Sequence, residues 1–117
     1  MAKVFHVLTE SEKKLINQNM YHPISLARDG FIHLSKTDQI LEVIEKFYSH
    51  HQKLLLWRIN EAYLKDHLKY EAPLEAPNSG ILYPHYYKEL DIKFVEATFI
   101  LSKDKDNKFK LPANLLE

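Results

Sequence analysis

Apolar and polar positions alternate along several short stretches of this chain, and the alternation predicts strands more often than helices. Val4, His6 and Leu8 share one parity and Phe5 and Val7 the other, a first strand over 4–8. Thr9 and Glu12 then make a capping-box pattern at the head of a helix carrying Leu15, Ile16 and Met20, with 17–19 as its frayed end. A loop through Pro23 follows, with one turn around 25–27, and Asp29-Gly30 marks a tight turn. Residues 37–48 give the clearest helix, with Ile40, Leu41, Ile44 and Phe47 on one stripe widened by Val43. Lys53 to Ile59 has a continuous apolar centre, the pattern of a strand covered on both faces.

The second half is less regular. Its pattern predicts helical turns over 62–68, a short strand at 69–71, an aromatic segment at 81–87, a last strand over 92–101 and a returning edge at 109–111. Pro73 and Pro77 break the segment around them, and the tail after Pro112 is expected to be loosely held. Strands outnumber helices without alternating with them, which points to an α+β domain. Residues 1–101 are expected to form it, with 102–117 a polar turn and C-terminal extension.

Asp29-Gly30-Phe31-Ile32-His33-Leu34-Ser35 is the stretch with the most chemical promise. Ile32 and Leu34 fall on one face of a strand, and Phe31, His33 and Ser35 on the other. Ser35 also precedes a helical pattern, with Asp38 three residues on as a capping partner. A polar pair at such a junction suits an anion or polar ligand, and it also describes an ordinary strand-to-helix turn.

Length and charge narrow the classes. The chain of 117 residues is long enough for one substantial core. Lysine plus arginine and aspartate plus glutamate stand at 16 each, so the total charge gives no indication of nucleic acid or an anionic membrane as partner. No stretch approaches the roughly 20 apolar residues of a membrane span, and the first eight residues lack a signal region. A cytoplasmic location is the resulting expectation. Without cysteine there is no disulfide, thiolate catalysis or sulfur-ligated metal. Gly30 and Gly80 are the only glycines, which excludes the glycine-rich phosphate loops of Walker and Rossmann type. His6, His22, His33, His67 and His85 are dispersed, His50 and His51 are adjacent at a helix end, and no metal site is expected from them.

The candidate residues are His33, Ser35, Arg58, Glu71, His85, Tyr86, Tyr87 and Glu96. A histidine with a carboxylate runs acid–base chemistry near neutral pH. Ser35 is a nucleophile only with a base in reach and is otherwise a hydrogen-bonding group. Arg58 interrupts an apolar run, as a ligand contact or a charged rim. The tyrosines of 83–87 stack on a ring or pack half-buried.

Taken together, Ser25-Leu26, the Gly-Phe-Ile-His-Leu-Ser core at 30–35 with Gln39, the strand at 54–59, Glu71 behind Lys69-Tyr70, and Tyr83-Pro84-His85-Tyr86-Tyr87 resemble the DUF952 family of small uncharacterised proteins. The resemblance covers nearly the whole chain. It implies a compact ADP-ribosyltransferase-like fold, a split, bent mixed or antiparallel sheet with two main helices and a cleft between its halves. It further implies that His33-Leu34-Ser35 holds a ribose, with NAD as a cofactor candidate. A stacking tyrosine, Tyr48 or Tyr87, and a carboxylate, Glu71 or Glu96, would complete that site. Glu71, His33 and His85 are the catalytic candidates, and Ser35, Gln39, Arg58, Tyr86 and Tyr87 the ligand-binding ones. Three functions follow as expectations: a small-ligand-binding domain for NAD, ADP-ribose or another nucleotide or phosphate ligand, a glycosyl (ADP-ribosyl or related) transferase, and a non-catalytic protein-interaction domain.

Overall fold

The computed structural model describes residues 2–117. Its centre is an antiparallel sheet of β1 (Lys3–Leu8), β5 (Lys53–Asn60) and β9 (Val95–Ser102), with β5 in the middle. The apolar run of β5 is explained by its position, because both faces are covered. Leu55, Trp57 and Ile59 enter one core with Val4, Leu8, Tyr21, Ile32 and Tyr86. Leu54 and Leu56 enter a second core with Phe5, Val7, Ile40, Ile44 and Leu101.

Two smaller antiparallel sheets carry the rest. One joins β2 (Ile16–Asn17), β3 (Met20–Tyr21) and β8 (Leu90–Asp91), and the other joins β4 (Ile32–His33), β7 (Tyr83–Tyr86) and β6 (Leu68–Glu71), with β7 central. Among the described residues three α-helices, α1 (Glu10–Lys13), α2 (Ile24–Asp29) and α3 (Ile40–Phe47), stand where two main helices were expected. The architecture is α+β with antiparallel sheets and a few helices.

The departures from the pattern have local causes. The capping box of Thr9 and Glu12 forms, yet α1 ends at Lys13. Gln18 and Asn19 take positive φ of 52° and 66°, which turns the chain back as a β2–β3 hairpin where the sequence pattern suggested a fraying helix. Residues 24–29 form α2, which lengthens the single turn expected around 25–27 within a loop, and Gly30 closes it at φ 86°, a left-handed conformation that favours glycine. Residues 92–94 form a 3-10 turn ahead of β9. Phe109 and Leu111 pack on the second core without joining a sheet, and Leu115 is buried in it, so the tail is anchored. No helix among the described residues is long and apolar enough to cross a membrane.

Candidate functional site

Strand pairing brings the two signature segments together. In the β4–β7 register Ile32 faces Tyr86 and His33 faces His85. The two imidazoles meet edge to face with ring centroids 5.6 Å apart. Phe31 lies beneath both: its ring stacks on His85 at 3.9 Å and contacts His33 at 4.7 Å. Phe31 is itself buried, so the alternation that placed it on an open face with His33 holds only for the histidine.

Each imidazole is braced by a carboxylate. His33 Nε2 lies 2.8 Å from Asp29 Oδ2, and a carboxylate oxygen accepts, so Nε2 carries the proton. By the same reasoning His85 donates from Nδ1 to Glu71 Oε1 at 3.0 Å, and the Tyr87 hydroxyl donates to that oxygen at 2.5 Å. In the neutral ring this leaves Nε2 of His85 as the acceptor nitrogen, with no hydrogen-bond partner among the described residues. Arg28 clamps Asp29 through Nε and Nη2 at 2.9 and 2.6 Å. These bonds set the protonation states. Asp29 is held well below the usual carboxylate range, first by Arg28 and then by His33. Glu71 is held down mainly by the Tyr87 hydroxyl, with His85 adding to it. Burial pushes His85 below the ordinary imidazole value, against the opposing pull of Glu71, which favours a neutral ring near pH 7.

A third histidine works from below. His6 is buried, and its Nδ1–H donates to the backbone oxygen of His33 at 2.8 Å. Its Nε2 therefore accepts from the Tyr21 hydroxyl at 2.8 Å. Burial lowers its pKa, so this ring too is neutral when the cleft is formed. Ser35 is fixed by its backbone, which exchanges two 2.8 Å hydrogen bonds with Phe5 across to the central sheet. The expected capping pair of Ser35 and Asp38 is replaced. The 3-10 turn at Thr37–Gln39 starts one residue later, and Lys36 N–H donates to Gln39 Oε1.

His33, Ser35 and His85 line a cleft of about 510 Å³, together with Asp29, Arg28 and Tyr48. The other sequence candidates stand elsewhere. Glu71 and Tyr87 sit behind His85 and hold it by hydrogen bonds. Gln39 spends both ends of its amide inside the protein, on Lys36 N–H and on the Leu82 carbonyl. Tyr86 points into the first core. Arg58 pairs with Glu96 at 3.1 Å and donates to the Leu115 carbonyl at 3.0 Å, while Glu96 also binds Lys3. Arg58 and Glu96 thus anchor the tail to the central sheet and do not line the cleft. Of the two stacking candidates, Tyr48 lines it and donates to Val7 O at 3.4 Å, whereas Tyr87 does not. Sequence reasoning missed Asp29 and Arg28 as site residues; the spacing of four between Asp29 and His33 across Gly30 was the available signal. Among the described residues no group of three or more His, Cys, Asp or Glu side chains is placed to hold a metal.

Comparison with known proteins agrees with this fold. A family model described as a protein of unknown function, DUF952, matches residues 7–98. The crystal structure of protein CC0527 from Caulobacter crescentus is similar at 27% identity and a TM-score of 0.82, covering 97% of each chain. The solution structure of CC0527 is similar at 27% identity and a TM-score of 0.77, covering 99% of this chain and 98% of that one. No curated protein matches the chain.

Proposed function

The chain belongs to the DUF952 family, and we propose that it is a small-ligand-binding domain whose cleft takes a ribose-bearing nucleotide such as NAD or ADP-ribose. The observation that carries this reading is the pair of carboxylate-braced imidazoles, His33 and His85, 5.6 Å apart on one cleft wall. With their N–H groups engaged by Asp29 and Glu71, the two neutral rings present acceptor nitrogens, Nδ1 of His33 and Nε2 of His85, the complement of a pair of donating ring hydroxyls. The Ser35 residue lies on the same wall. A cleft of about 510 Å³ is in the range of small-molecule sites.

Thermal unfolding with NAD, ADP-ribose, nicotinamide, simple nucleotides and phosphate tests the reading, since a ligand of the folded state raises its stability. NAD or ADP-ribose should raise the midpoint, and His33→Ala should abolish the shift. A panel without any shift rejects nucleotide binding.

A transferase is the second reading, favoured by His85 in particular. A neutral imidazole, backed by Glu71 and with Nε2 unused, is suited to take a proton from an attacking hydroxyl. Its reaction would be cleavage of a glycosidic bond at the ribose carbon. Release of free nicotinamide from NAD, lost in His85→Ala, would distinguish turnover from binding.

A further inference from the structure

Three large apolar side chains stand in water at the mouth of the cleft. Ile24, Phe47 and Leu74 are 69%, 54% and 60% exposed, and all three line it. They come from separate elements: Ile24 opens α2, Phe47 closes α3, and Leu74 lies between β6 and β7. Single exposed apolar residues are ordinary; three converging on one concave surface from distant parts of the chain mark a binding face. Leu74 is presented on a fastened segment, with Ala76 N–H donating to Pro73 O and Ser79 N–H to Ala76 O, each at 3.1 Å.

The cleft is therefore divided, with hydrogen-bonding groups on one wall and an apolar mouth. Charge narrows what the mouth accepts. The charged side chains along the cleft are Arg28 and Lys46 against Glu12, Asp29 and Glu75. Arg28 is engaged by Asp29, and Lys46 lies 3.4 Å from Glu42. A ring bearing a carboxylate meets this excess of acid unfavourably, whereas a neutral or cationic ring does not, and the face of Phe47 attracts a cation further.

We propose that Ile24, Phe47 and Leu74 form a ring-binding half of the cleft, taking a planar nitrogen heterocycle that is neutral or positively charged. The ligand's hydrogen-bonding half then reaches His33 and His85. This rests on the small-ligand reading above and specifies which ligands of that class enter.

Calorimetric titration of the full chain with nicotinamide riboside, nicotinic acid riboside and ribose isolates the ring, since the sugar is common to all three. Nicotinamide riboside is expected to bind about tenfold more tightly than either of the others. Phe47→Ser and Leu74→Ser, both at exposed positions, should each weaken it by about tenfold without altering the unliganded melting temperature. Equal binding of ribose and nicotinamide riboside overturns the proposal, as does retained affinity in both serine variants. If His33→Ala then still abolishes binding, the cleft reading stands and only its ring half falls. If none of the three ligands binds and neither NAD nor ADP-ribose does, both readings fall together. A wild-type dimer in sedimentation velocity that Phe47→Ser dissociates would overturn the proposal by making a second copy the occupant of the mouth.

Discussion

The His33 and His85 rings contact each other because their residues are register partners in neighbouring strands, with centroids 5.6 Å apart over the shared Phe31 platform. Each has its own carboxylate partner, Asp29 for His33 and Glu71 for His85.

Glu71 raises the proton affinity of His85 against the effect of burial. Glu71→Gln is therefore expected to move the His85 titration to lower pH still, read from its imidazole C–H signals by NMR. A titration that moves upward, or stays fixed, would remove Glu71 from its bracing role.

Acid should destabilise the fold through histidine before the carboxylates titrate. His6 and His85 both hold protons less tightly in the fold than at the ordinary value of 6.5, principally through burial. The unfolded chain thus takes up protons first, and the stability from both rings is full above about pH 6.5 and falls as the pH drops toward their folded values. Melting temperatures between pH 8 and about pH 5 should decline for wild type and decline less steeply for His6→Gln. Parallel profiles for the two proteins would contradict this.

Arg58 is expected to act on stability alone. Arg58→Met removes its bonds to Glu96 and to the Leu115 carbonyl, and should cost about 1–3 kcal/mol in urea unfolding while leaving any ligand-induced stabilisation intact. Loss of ligand response in a folded Arg58→Met protein would return this residue to the site.

Gly30 sets the geometry between Asp29 and His33. Nothing lies within 4 Å of an added Cβ there, so the penalty of Gly30→Ala is in the backbone at φ +86°. A loss of about 1–2 kcal/mol is expected from urea unfolding. An unchanged midpoint would show that the left-handed turn is dispensable.

What the sequence revealed depended on how local the cause was. The apolar run of 54–57 announced a strand covered on both faces, and the Thr9–Glu12 capping box is local enough to read from spacing alone. The β2–β3 hairpin escaped notice because Ile16 and Met20, four apart, imitate a helical face, while the turn rests on left-handed Gln18 and Asn19. His33 and Ser35 were identifiable from the strand-to-helix junction. Glu71 was legible as a residue, but its work behind His85 arises only from the pairing of β6 with β7. Arg58 and Glu96 looked like site residues for a physical reason: a charge inside an apolar strand calls for a partner, and here each is the other's.

The most direct test of the cleft is the imidazole spectrum of the protein titrated with NAD and with ADP-ribose. The His33 and His85 signals should move together and saturate, while those of His50, His51 and His67, which do not line the cleft, stay in place. Signals of His33 and His85 that remain fixed under either ligand, or that move no more than the other three, would contradict a nucleotide site built on this pair.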